Sequence, residues 1–156
     1  MVLDTIDWRI LEHLQTDNTI PNIELASRVG LSAPACSRRV ARMRREGVIR
    51  RDVSVVDPKQ AGYPIQVIVS VKMSERQKTV YDGFLKMVGQ HPEIRYCAKV
   101  AGSIDFVLHV NVGSVRKYSE LSRNVFIDNP NVGEYESWIV LEEIKDEPTV
   151  VRAGME

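Results

Sequence analysis

The sequence predicts an α+β chain in two units, a helical one followed by a sheet-bearing one. Three observations carry this. Residues 31–47, LSAPACSRRVARMRREG, read as a helix with both ends marked and an arginine-crowded outer face. A shorter apolar helix precedes it across the Gly30-Leu31 turn. From Ile65 onward the apolar period switches between 2 and about 3.6 in the order strand, helix, strand, strand, helix, strand.

In the first unit, Asp4 caps a helix, and Asp7, three residues on, complements its N-terminal dipole. Ile6, Ile10, Leu11 and Leu14 form its apolar stripe, and Asp17-Asn18-Thr19 ends it. Pro21-Asn22 opens a second helix whose inner residues are expected to be Ile23, Leu25, Ala26 and Val29. In the third, Ser32 supplies an N-cap hydroxyl, Pro34 occupies a first-turn position, and Gly47 suits a left-handed C-terminal cap. Cys36, Val40 and Met43 share its inward stripe. Arg38, Arg42 and Arg45 are placed opposite, with Arg39 on the flank. Two helices joined by a short glycine turn, the second one basic, make a helix-turn-helix, here winged-helix-like.

Arg28 to Arg51 holds eight arginines and one acid, Glu46. A solvated helix face ordinarily interleaves acids with bases at i,i+4. Arginine without lysine, and with acids nearly absent, suits bidentate grip on phosphate and guanine edges. The expected DNA-facing set is Ser32, Ala35, Ser37, Arg38, Arg39, Arg42 and Arg45, with this helix in the major groove.

Val48-Ile49 and Val53 to Val56 read as extended chain, and Asp57-Pro58 and Gly62-Tyr63-Pro64 as turns. Ile65 to Met73 alternates as a strand. Val80, Phe84, Met87 and Val88 mark a helix ending before His91-Pro92. Ile94 to Val100 and Phe106 to Val112 are strands about the turn 101–105. Ser114 caps a helix carrying Val115, Tyr118, Leu121 and Val125, and Tyr135 to Glu142 is the fourth strand. The order βαββαβ is the ferredoxin-like split unit, helices on one sheet face. The expected division is 1–54 helix-turn-helix, 55–64 linker, 65–145 ferredoxin-like domain and 146–156 a polar, disordered tail. Val67, Val69 and Val71 are expected to leave apolar surface that two helices do not cover, which calls for a second copy of the chain.

The 156 residues carry 21 basic and 21 acidic side chains, so net charge names no partner. The charge is distributed unevenly. Residues 1–54 hold nine bases against seven acids, and the rest holds twelve against fourteen. No apolar run is long enough to span a bilayer. The start, Met-Val-Leu-Asp, lacks the basic and apolar regions of a signal peptide. A cytoplasmic location is expected. Cys36 and Cys97 read as small core hydrophobes, and no metal or cofactor is expected, because nothing has ligand spacing.

Several stretches together carry a family resemblance: Leu3-Asp-Thr-Ile-Asp7 with Ile10-Leu11, Asn22-Ile-Glu-Leu-Ala26, Val29-Gly-Leu-Ser32, Cys36, Arg39-Val40, Gly47-Val-Ile49, Val56-Asp-Pro58 and Gly62. Val100-Ala-Gly102, Ile104-Asp105-Phe106, Asn131-Val-Gly133 and Val140-Leu-Glu-Glu-Ile-Lys145 continue it. Along nearly the whole length the chain resembles the Lrp/AsnC feast/famine transcriptional regulators. The resemblance implies a DNA-binding helix-turn-helix and a C-terminal domain that dimerises and assembles to tetramers or octamers. It also implies a small effector, usually an amino acid, bound near the second hairpin. Carried onto this sequence, the effector residues are Gly102, Ser103, Ile104 and Asp105, with Ser137 contributed by a neighbouring subunit. Asp105 is the expected ammonium partner, and amides around Gly102 the expected carboxylate holders. Three positions depart from the family pattern: Ser103 replaces a usual Asp, Asp52 a common aromatic residue, and Arg38 an acid. Ser103 lowers negative charge at the site and so favours neutral over cationic amino acids.

The competing reading is an enzyme, since sirohaem decarboxylases resemble the same two-unit architecture. It would need working histidines. His13, His91 and His109 are scattered and read as structural or surface residues, and no nucleophile–base pair or phosphate loop is visible.

Overall fold

The computed structural model describes residues 2–75, 77–146 and 149–152. The chain divides into one unit of residues 1–54 with 145–156 and a second of residues 55–144.

The first unit is three helices. α1, Thr5–Thr16, begins at a reciprocal capping box in which Asp4 Oδ1 accepts from the Asp7 amide at 2.8 Å and Asp7 Oδ2 from the Asp4 amide at 3.2 Å. α2, Asn22–Val29, ends on Gly30 in the left-handed conformation, φ 72°. That backbone state favours glycine and lets Leu31 N–H close onto Ala26 C=O at 2.9 Å. α3, Ala33–Arg45, starts on Ser32, whose Oγ accepts from the Ala35 amide, and runs out toward Gly47 at φ 75°. Asn22 Nδ2 donates to Ala33 C=O at 2.9 Å and ties the start of α2 to that of α3. Ile10, Leu11, Leu25, Ala26, Val29, Cys36, Val40 and Met43 form the core. Ile23, expected inside, is 77% exposed. At ~100° per residue it lies well off the stripe of Leu25, Ala26 and Val29. Residues 50–56 are irregular, and Val53, Val55 and Val56 are exposed. Part of the expected tail is ordered against α1. Gln15 holds Val150 at both backbone groups, Nε2 donating to its C=O at 3.1 Å and Oε1 accepting from its N–H at 2.6 Å. Residues 147, 148 and 153–156 lie outside the described residues.

The second unit is β1 Ile65–Met73, α4 Lys78–Val88, β2 Ile94–Lys99, β3 Phe106–Val112, α5 Val115–Ser122 with a π-helical turn Arg123–Ile127, and β4 Val132–Ile139. The strands are antiparallel in the order β2-β3-β1-β4. β4 lies three residues earlier than its expected 135–142. Met73↔Val132 pairing, reached through a register irregularity after Lys72, extends its start, and its ladder ends at Val67↔Ile139. One sheet face buries Val67, Val69, Val71, Met73, Phe106, Leu108, Val110 and Val112 against Phe84 and Val88 of α4 and Leu121, Val125 and Phe126. Phe84 stands 5.1 Å from Phe106, ring centre to ring centre. The expectation that Val67, Val69 and Val71 are left uncovered is therefore corrected, since two helices and the π-turn bury all three. The open face belongs to the alternate residues of the same strand, Gln66, Ile68 and Lys72, with Ser70 buried on that face. Val115, expected inside α5, is exposed in its first turn.

Candidate nucleic-acid interface and effector hairpin

α3 presents two different basic surfaces. Arg38 and Ser37 are exposed on its outer face, and Arg38 makes no ion pair among the described residues. Arg45, also exposed, pairs with Glu46 at 3.6 Å. Ser32 is exposed at the N-terminus while serving as cap, and Ala35 is half-buried. Arg39 and Arg42 behave otherwise. Arg39 Nη1 donates to Asp4 at 2.6 Å and to Asp7 at 2.9 Å, and Arg42 Nη2 donates to Asp7 at 2.6 Å. Asp7 is fully buried, and its carboxylate receives both guanidinium groups together with the Asp4 amide. The Arg39 guanidinium holds the Asp4 carboxyl below its usual range.

The placement of Arg42 opposite the apolar stripe is thus corrected. Arg39 and Arg42, three apart, share the flank of α3 that faces the start of α1. The signal was present in the sequence, because Asp7 continues the stripe of Ile10, Leu11 and Leu14 at helical spacing. An acid on an inward stripe needs a cationic partner, and the arginines of α3 supply two. Arg44 is likewise engaged, with Asp52 at 3.0 Å, which gives the departure at position 52 a local role.

At the β2–β3 hairpin, Ala101, Gly102 and Ser103 are exposed and Ile104 is half-buried. Asp105 is buried. Its N–H donates to Val71 C=O at 2.8 Å, and its C=O accepts from Val100 N–H at 2.9 Å. Its Oδ2 accepts from the Met73 amide at 2.9 Å and Oδ1 from the Tyr81 hydroxyl at 2.8 Å. The β1–β3 ladder ends at Val71↔Phe106, so the Asp105 carboxylate replaces the next rung, satisfying Met73 where no strand remains. Asp105, expected as a ligand's ammonium partner, is buried and accepts one hydrogen bond at each carboxylate oxygen within the fold. Ser137, on the helix side of β4, hydrogen-bonds the Tyr118 hydroxyl of the same chain. The hairpin leaves Gly102 and Ser103 as accessible members.

Among the described residues no three histidine, cysteine or acidic side chains gather as a metal site. Burial pushes the Cys36 and Cys97 thiols up, away from reactivity. His109 is exposed beside Tyr96, ring centres 5.2 Å apart.

A helix-turn-helix with a free arginine on its second helix, followed by a ferredoxin-like domain, defines a DNA-binding regulator. Residues 3–50 match the family model for winged helix-turn-helix DNA-binding, and residues 66–150 match that for the Lrp/AsnC ligand binding domain. The chain belongs to the Lrp/AsnC family of transcriptional regulators, and the enzyme reading gives way to it. It is 34% identical over 143 residues to the glutamate uptake regulatory protein of Zymomonas mobilis, covering 92% of this chain and 87% of that one. It is 32% identical over 149 residues to the leucine-responsive regulatory protein of Escherichia coli, covering 96% and 91%. A Neisseria meningitidis transcriptional regulator solved as a complex with L-Met superposes with a TM-score of 0.90 at 26% identity, covering 96% of this chain and 97% of that one.

Proposed function

We propose that this regulator reads DNA through Ser37, Arg38 and Arg45, while Arg39 and Arg42 hold α3 at the angle that presents them. The single observation carrying this is the contrast on α3 between exposed Arg38 and Arg45, of which Arg38 makes no ion pair among the described residues and Arg45 a 3.6 Å one to Glu46, and Arg39 and Arg42, bound to Asp4 and Asp7. Fluorescence anisotropy on the chain's own upstream region tests it. Arg38→Ala should cost about 1–3 kcal/mol of binding and relax sequence preference. A double variant Arg38→Ala/Arg45→Ala that binds as tightly as wild type at moderate salt would remove this surface from the interface.

The same regulator works in the cytoplasm as a homodimer, through the open face of the sheet. Tyr96, His109, Ile68 and Trp138 stand in one register row across all four strands. Tyr96 and Trp138 are exposed large aromatics, and a row of this kind suits an isologous interface. A dimer places two recognition helices about 34 Å apart, one turn of the duplex. Assembly beyond the dimer is the family's habit, and a neutral amino acid at the Gly102-Ser103 turn is the effector that the resemblance supports.

A further inference from the structure

Arg50 and Arg51 lie just past α3 and outside the set that reads bases. Both are exposed, and neither makes an ion pair among the described residues. Between residues 31 and 56 the acids are Glu46 and Asp52, and each is already paired to an arginine of α3, at 3.6 and 3.0 Å. The two arginines therefore carry positive charge that nothing in their own stretch of chain neutralises.

The segment that carries them is held at both ends. Val48 and Ile49 N–H both donate to Met43 C=O, at 2.9 and 3.1 Å, and both side chains pack against the core of the first unit. Asp52 Oδ2 then accepts from Arg44 Nη2 at 3.0 Å. At ~100° per residue, Arg44 lies on the flank of α3 opposite Arg39 and Arg42, and on the same side as Ser37 two turns earlier. The Asp52 pair thus sets this segment on the flank turned away from Asp4 and Asp7. The outer face, with Arg38 and Arg45, lies between the two flanks.

An α-helix with its side chains is about 10–12 Å across and fills a major groove about 12 Å wide, so each flank abuts a phosphate strand. We infer that Arg50 and Arg51 grip backbone phosphates along the groove wall beside the Ser37–Arg44 flank, and that Asp52, through Arg44, is the residue that positions them. The inference rests on α3 lying in the major groove. Phosphate is the same at every base, so these contacts raise affinity without adding sequence preference. The planar guanidinium fork suits that partner.

Fluorescence anisotropy of the full chain over a salt series tests the inference, on its own upstream region and on a shuffled duplex of the same composition. Each phosphate contact contributes about 0.9 to the slope of log K against log salt. Arg50→Ala/Arg51→Ala should make that slope shallower by about 1.8, so that the affinity lost between about 50 and 200 mM salt shrinks roughly twelvefold. Its preference for the upstream region over the shuffled duplex should stay as in wild type, whereas Arg38→Ala should relax it. Arg50→Lys/Arg51→Lys keeps both charges and should restore most of the slope. Asp52→Ala removes an acid near DNA, which by charge alone strengthens binding. Loss of positioning should instead weaken it about two- to fivefold, the scale of one exposed ion pair. Unchanged melting curves exclude unfolding.

A slope unchanged in the double alanine variant, beside an Arg38→Ala that still loses preference, overturns the inference and leaves the reading of α3 standing. Lost preference in the double variant overturns the assignment to phosphate. Asp52→Ala that binds equally or more tightly overturns the positioning role of Asp52. If Arg38→Ala/Arg45→Ala has no effect, the reading of α3 fails and this inference with it.

Discussion

Asp7→Asn isolates the buried carboxylate from everything else in the first unit. The side chain keeps its shape and one acceptor, but the anion that receives Arg39 at 2.9 Å and Arg42 at 2.6 Å is gone. Removing one member of a fully buried pair costs about 3–5 kcal/mol, and an exposed pair is worth about 0–1. Here the acid is buried, but the Arg39 and Arg42 side chains are 27% and 37% exposed and can rehydrate. Arg39 also keeps Asp4 at 2.6 Å. The expected loss is therefore about 2–3 kcal/mol, which for a unit of this size is a fall of roughly 10–20 °C in its melting temperature. Native-state hydrogen exchange reads it by region. Amides of α1 and α3 should lose protection, and those of β1 and β3 should keep theirs as an internal control. DNA affinity should fall as well, because α3 loses its anchor. If α1 and α3 protection is unchanged and DNA binds equally or more tightly, Arg39 and Arg42 are free contacts and the anchoring argument is wrong.

Three further outcomes follow from the same structure. Asp4 is held below its ordinary value of 3.8, first by the Arg39 guanidinium and then by the Asp7 amide. Below 3.8 the unfolded chain binds the proton first, so stability rises with pH in that window and is lost as pH falls through the folded value. Asp4→Asn should flatten that acid limb in a pH series of urea melts, leaving the shares of Asp17, held low by Thr19, and Glu120, held low by Lys117 and Arg116. Asp105→Ala should destabilise the second unit by about 1–3 kcal/mol, the cost of the orphaned Met73 amide, measurable by denaturant titration. Trp138→Asp should leave the circular dichroism of the chain intact while light scattering falls to a monomer; a dimer of unchanged affinity would remove the open sheet face from the interface.

The order of elements was legible because each carries its own period and its own stops. The capping pair Asp4 and Asp7, Ser32, Gly30 and Gly47 act within one or two turns of chain. The alternation in Ile65 to Met73 names the strand, and the family resemblance adds the biology. What periodicity could not reveal was which side chains across the chain would claim one another. Arg39 and Arg42 look like their neighbours until Asp7, more than thirty residues earlier, is brought beneath them. Asp105 looks like a partner for a ligand's ammonium until β1 ends beside it and the Met73 amide needs an acceptor. Ile23 and Val115 are apolar at positions where a whole-helix stripe looked plausible, but a short helix buries only what its neighbours reach. Which of β1's two faces stays open depends on the helices packing on the other. The bulge at Arg95, where Ile94 pairs with Val110 and Tyr96 with His109, is a mismatch between two strands and exists in neither alone. Local chemistry decided the elements; pairing of charges and of strands, which acts through space between residues distant in the chain, was settled only by the tertiary structure.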